Sequence, residues 1–201
     1  MNPHLVCYIE QNILPQYGAF ADGHDRTHIE TVLRESLFLA RRHGADEDMI
    51  YAAAAYHDLG IPQGRREHHL NSAKLFLADV TMKQWFSDAQ RTVVAEAIED
   101  HRASAGARPR SLYGCILADA DHHIVPEDIV RRIMLYGMAN FPEYTAQQQI
   151  DRARDHLREK FCEGGYLQFW LNDLHSLQGL ADLRALAADD ARLVALCNQY
   201  L

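Results

Sequence analysis

Apolar and polar positions recur every three to four residues along nearly the whole chain, the period of an amphipathic helix, and no Val/Ile/Thr-rich run alternates at period two. The spacing predicts a long helix over about 28–42, with Ile29, Val32, Leu33, Leu37 and Ala40 as its apolar stripe and Gly44 closing it. The next segment, about 46–58, holds Met49, Ile50, Tyr51, four consecutive alanines and Tyr56. It is apolar almost all round and so belongs at the centre of the fold, and Gly60 and Pro62 stop it. Further helices are predicted at roughly 68–78, 88–100, 111–122, 126–138 and 145–162 and across the Leu-rich C-terminal third, with Gly/Pro-containing loops at 102–110 and 139–144. The expected fold class is all-α.

Composition narrows this picture. A chain of 201 residues with no low-complexity or linker-like stretch suits a single domain over 1–201, its site-bearing core at about 23–124 and helices from 126–201 completing the bundle. A hydrophobic fraction of 48% with 24% charged residues excludes disordered and fibrous classes. The net charge of -8, with Lys and Arg scattered, argues against an extended nucleic-acid face. A small anionic substrate stays open, because a metal and one or two Arg residues reverse the local sign. No apolar stretch reaches the roughly 18 residues of a membrane helix, and residues 1–10 lack a basic region followed by an apolar run, so the expected location is cytoplasmic. Cys7, Cys115, Cys162 and Cys197 form no CxxC pair, which argues against a zinc ribbon or a disulfide framework.

The chemistry enters where apolar runs end in titratable groups. The run from Tyr51 to Tyr56 ends in His57 and Asp58, and burying an unpaired carboxylate there would cost several kcal/mol. A divalent cation compensates well, since it accepts a neutral imidazole nitrogen and an ionised carboxylate oxygen together. The pattern recurs where Ile116, Leu117 and Ala118 lead into Asp119, Ala120, Asp121, His122 and His123. Asp119 and Asp121 point to different sides of a helix, so one of them reaches the site, and spacing alone does not choose. Upstream, His24 and His28 stand at i and i+4, but Gly23 and Asp25 suggest that the helix begins among them, leaving His28 the better-ordered ligand. Glu67-His68-His69 and Asp100-His101-Arg102 add two histidine sites at helix ends.

In this order the residues resemble the signature of the HD superfamily of metal-dependent phosphohydrolases: a His, a His-Asp pair and a distant Asp, over about 23–124. The likeness is to small bacterial stand-alone HD proteins, through D-x-x-H (Asp25 to His28), A-x-x-H-D (Ala54 to Asp58) and D-A-D (Asp119 to Asp121). The resemblance implies an HD-domain-like helical bundle with metal ligands His28, His57, Asp58 and Asp121. The ion would be Mn, Fe, Co, Ni or Mg, and a metal-activated water would hydrolyse a small phosphate ester, a nucleotide among the candidates. The chain departs from the commoner D-A-D-R-L-D ending, because His122, His123 and Ile124 stand there, and His122 would take over the substrate contact of that Arg.

In two-metal relatives the extra ligands are histidines between the pair and the last Asp, and His69 and His101 occupy comparable places. With Asp58 at the centre of the catalytic group, Glu67, His69 and His101 are the general-acid candidates. Arg65, Arg66, Lys74, Arg102 and His122 would hold phosphate. Two other readings compete: a two-iron oxygenase using His69 and His101, and a non-catalytic nucleotide-sensing module. The C-terminal apolar residues, Phe161 to Leu186, serve either core packing or a homodimer face.

Overall fold

The computed structural model describes residues 1–20, 26–102 and 107–201. Among them ten α-helices, linked by short 3₁₀ turns, make an all-α architecture without a strand. The chain divides into two compact units, Met1–His123 and Ile124–Leu201. Among the described residues no helix is long and apolar enough to cross a membrane.

The first unit holds α1 (Pro3–Asn12), α2 (Arg26–His43), α3 (Glu47–Tyr56), α4 (His68–Ala78), α5 (Asp88–Asp100) and α6 (Leu112–Asp121). The apolar α3 lies at its centre, every residue from Met49 to Tyr56 buried, with α2, α4, α5 and α6 packed on it. The Asp46 side chain caps its N-terminus by accepting from the Asp48 and Met49 amides. At the other end α3 stops at Tyr56, two residues short of the expected 58, because His57 becomes the C-cap and the Leu59 and Ile61 amides turn back onto Tyr56 and Asp58. Asp58 is thereby displaced from the helix into the following turn.

Side-chain caps set the other boundaries. Ser87 and Gln90 form a capping box that starts α5 where the pattern predicts, and Ser111 caps α6. The apolar spacing does not announce α1, which buries only Leu5 and Ile9 and starts at Pro3 behind an Asn2 cap. Asp79, just past α4, pins it: Oδ2 accepts from Tyr8 at 2.7 Å and from Tyr56 at 2.5 Å, while Oδ1 accepts from the Thr81 amide at 2.9 Å.

The second unit holds α7 (Pro126–Asn140), α8 (Ala146–Lys160), α9 (Leu174–Ala188) and α10 (Asp190–Cys197). Thr145 and Gln148 form its own capping box ahead of α8, and the buried Gln149 amide donates to the Gly137 and Phe141 carbonyls at the end of α7. Of the C-terminal leucines, Leu180, Leu183 and Leu186 are buried, whereas Leu174 and Leu177 are exposed.

Candidate metal centre

The site forms where helix ends of the first unit meet around the carboxylate of Asp58, which is 1% exposed. His28 comes from the first turn of α2, His57 and Asp58 from the end of α3, His68 from the start of α4, His101 from the C-cap of α5 and Asp121 from the last residue of α6. His24 and Asp25 lie outside the described residues, as do residues 103–106 of the loop that follows His101.

Two ligand groups share Asp58. One ligand atom each from His28, His57 and Asp58 lie within 4.8 Å of one another, and so do those of Asp58, His68 and His101. In the first group His57 Nε2 stands 3.2 Å and His28 Nε2 3.7 Å from Asp58 Oδ2. Asp121 Oδ1 joins them, 3.1 Å from His28 Nε2 and 3.6 Å from His57 Nε2. In the second group His68 Nε2 is 3.3 Å and His101 Nε2 3.8 Å from Asp58 Oδ1. One carboxylate thus offers an oxygen to each side.

The other nitrogen of each ring fixes its tautomer. His57 Nδ1 meets the Ala54 carbonyl at 2.8 Å, His68 Nδ1 the Arg65 carbonyl at 2.8 Å and His101 Nδ1 the Ile98 carbonyl at 2.6 Å, each three residues back. A carbonyl only accepts, so each Nδ1 carries a hydrogen, and the ring in its neutral form presents its Nε2 lone pair to the centre, the form that binds a metal. The carbonyls so used at His57 and His101 belong to the last turns of α3 and α5, and that of Ala54 also accepts from the His57 amide at 3.4 Å. His122 repeats the device on the Ala118 carbonyl at 2.5 Å, with its Nε2 3.7 Å from Asp121 Oδ2.

The electrostatics ask for positive charge. Burial works to lower the His57 pKa, but Asp58 and Asp121 outweigh it and hold it well above the usual histidine value. Burial would raise Asp121, yet its contacts with His28 and His57 hold it well below the ordinary carboxylate range. Burial, and then the charge on His57, push His101 down to about 3, so this ring is neutral. His68 Nε2 and His101 Nε2 face each other at 3.1 Å, and with both Nδ1 atoms on carbonyls the neutral rings would turn two lone pairs on one another. A cation between these lone pairs relieves that opposition, and the donor set of imidazole nitrogens and carboxylate oxygens fits a divalent ion on both sides of Asp58.

The sequence-predicted residues fall unevenly around this centre. His28, His57, Asp58, Asp121 and His101 are brought together, and the carboxylate that meets His28 and His57 is that of Asp121 rather than Asp119. Where the sequence reading named His69, the ring that reaches Asp58 and His101 is that of His68, one residue earlier, and adjacent residues on a helix point about 100° apart. Apolar spacing places the start of α4 only to within a residue or two, too coarse to select between neighbours. His69 lies beside His68 with ring centroids 5.7 Å apart; burial lowers its pKa, and its buried Nδ1 has no hydrogen-bond partner.

Arg65, Arg66 and Glu67 are exposed on the 3₁₀ turn that leads into His68. The Arg102 guanidinium donates to the Arg66 carbonyl, which joins the turn before α4 to the end of α5. Lys74 is exposed on α4, about 120° around the axis from His68. Sequence reasoning also missed Tyr17, whose buried hydroxyl donates to the Ala55 carbonyl at 3.0 Å and accepts from the Asp58 amide at 3.4 Å.

An all-helical unit with a buried His/Asp cluster able to hold a metal defines a metalloprotein-like class. The family model of the HD domain matches residues 26–124, the segment that carries the cluster. A predicted HD superfamily hydrolase from an uncultured Thermotogales bacterium, known from a crystal structure, is 26% identical, with a TM-score of 0.51 over 76% of this chain and 84% of its own. A Lactobacillus plantarum protein of known crystal structure shares the fold at 20% identity and a TM-score of 0.50, covering 100% of this chain and 96% of its own. No curated protein matches the chain significantly.

Proposed function

We propose that the HD unit is a metal-dependent phosphohydrolase acting on a small phosphate ester, a nucleotide among the candidates. The observation that carries this reading is the convergence of His28 and His57 Nε2 with Asp58 and Asp121 on one point at the ends of α2, α3 and α6. A divalent ion held by these residues supplies a water of lowered pKa and polarises a phosphoryl oxygen. The two carboxylates match its charge, and the closing of each Nδ1 by a backbone carbonyl holds His57, His68 and His101 in the tautomer that leaves Nε2 available. Arg65, Arg66 and Arg102, gathered where α4 begins and α5 ends, bring positive charge suited to phosphate in a chain whose net charge is -8. His122 stands beside Asp121 where it can bond a substrate oxygen, and Glu67 remains the general-acid candidate, because the neutral His101 ring has its one hydrogen on the Ile98 carbonyl.

Metal analysis of the purified protein, with a phosphatase screen over nucleotides and sugar phosphates, tests the proposal. Bound divalent metal and turnover of at least one phosphate ester are expected, and His57→Ala should lose both while staying helical by circular dichroism. Full activity in a metal-free His57→Ala protein would sink the reading.

A second ion at Asp58 Oδ1, His68 and His101 is the further reading that a specific observation favours, namely the convergence of these three ligand atoms within 4.8 Å, with the two Nε2 atoms 3.1 Å apart. Two ions per chain support it. If both are iron and the absorbance changes on oxidation, an oxygenase gains on hydrolysis.

A further inference from the structure

Directly after Asp58 the backbone runs against the first turns of α4 more closely than any side chain would allow. A Cβ built on Gly60 would lie 2.4 Å from the His68 carbonyl oxygen, 2.6 Å from the Ser72 amide nitrogen and 2.7 Å from Asn71 Cβ. The first two are backbone atoms of a helix and cannot swing aside. The contact is fastened by a hydrogen bond of 2.8 Å from the Gly60 amide to Ser72 Oγ, within the buried interior. His68 and Ser72 stand at i and i+4 and so share one face of α4. The face that Ser72 fastens to the turn is therefore the face from which the His68 ring reaches Asp58 Oδ1, while His57 approaches Oδ2 of the same carboxylate.

We propose that Gly60 and Ser72 decide how many ions the site takes, by seating α4 on the His57–Asp58 turn so that His68 reaches the second oxygen of Asp58. The inference rests on reading the site as a metal centre with a second ion. A metal site tolerates ligand displacements of only about 0.2 Å, whereas relieving a 2.4 Å contact to ordinary van der Waals separation needs about 1 Å. Any side chain at 60 therefore moves His68 out of ligand range. His28 and Asp121 come from α2 and α6, and His57 and Asp58 stand at the end of α3 where the Tyr17 hydroxyl bonds the Ala55 carbonyl and the Asp58 amide, so the first ion is retained. Gly60 and Ser72 are positioning residues; neither touches an ion or a substrate.

The test compares full-length wild type, Ser72→Ala and Gly60→Ala by metal content and by Mn(II) titration of the metal-stripped protein. Wild type is expected to bind two ions. Ser72→Ala should keep the first with unchanged affinity and bind the second about 10- to 100-fold more weakly, the effect typical of removing support behind a metal ligand. Gly60→Ala should bind one; if it does not fold, Ser72→Ala decides alone. A folded Ser72→Ala protein with wild-type affinity for both ions overturns this inference by itself. Wild type with a single ion overturns it together with the second-ion reading but leaves metal-dependent hydrolysis standing. Wild type with none overturns the proposed function as well.

Discussion

Tyr17 is the residue that keeps the His57–Asp58 turn in place without offering a ligand. Its hydroxyl serves a carbonyl left over at the end of α3 and the amide of Asp58, and its ring lies nearly parallel to that of His57, 26° apart at a centroid distance of 6.5 Å. Burial, followed by the charge of Asp58, holds the phenol well above its usual pKa, so the hydroxyl keeps its proton and remains a donor to Ala55. Tyr17→Phe leaves a buried carbonyl and amide unsatisfied, which should destabilise the protein by about 1–3 kcal/mol. The same change should weaken metal binding by about tenfold, since a supporting group behind a ligand is lost. Urea denaturation and metal titration check the two effects, and a variant equal to wild type in both would show that the turn holds itself. At this scale the sequence discloses groups better than geometry. His57 and Asp58 stand out because a charged pair ends a fully apolar run, whereas Tyr17 lies 41 positions from Asp58 and no local spacing connects them. The preference for Asp121 over Asp119 came from resemblance to a family, and His68 was missed because its neighbour His69 is chemically identical.

At the scale of elements, amphipathic spacing predicted the helices that carry the site, while caps and turns decided where each one ends. The difference matters most at α3, where ending at Tyr56 rather than at 58 swings Asp58 out between two groups of histidines. The unannounced α1 is tied to the ends of α3 and α4 through Asp79. Burial raises the pKa of that carboxyl, but its bonds from Tyr56 and Tyr8 outweigh burial and hold it below the usual aspartate value. A depressed carboxylate contributes stability that is fully present above its unfolded pKa of about 4 and is lost as pH falls through the folded value. Asp79→Asn is therefore expected to be less stable than wild type at pH 7, with the gap closing as the pH is lowered below about 4. Paired denaturation curves at pH 7 and pH 3 provide the measurement, and a gap that widens in acid would contradict the assignment of Asp79 as the pin.

At the scale of the molecule, the residues of the centre around Asp58 all belong to the unit Met1–His123. The division at 123/124 has no compositional mark, since His123 passes into the Pro126 helix without a Gly- or Ser-rich stretch, and a sequence reading has no physical signal to find there. Because an ion bound by the folded site has no equivalent in the unfolded chain, metal and stability are linked. At about 100 times its dissociation constant, a bound ion should add about 2.7 kcal/mol. Thermal melts with added Mn(II) are expected to shift upward, chelator should reverse the shift, and His57→Ala should show none; an equal shift in that variant would locate the ion elsewhere. The imidazoles take their aim from backbone carbonyls, which at His57 and His101 belong to helix ends, and helix ends are the first parts of a helix to fray. A half-made chain offers the same histidines with either nitrogen protonated and the rings turning freely, so it holds a cation less tightly than the folded site would. Capture of an ion by these rings is therefore expected only once α3 and α5 are wound to their last turn.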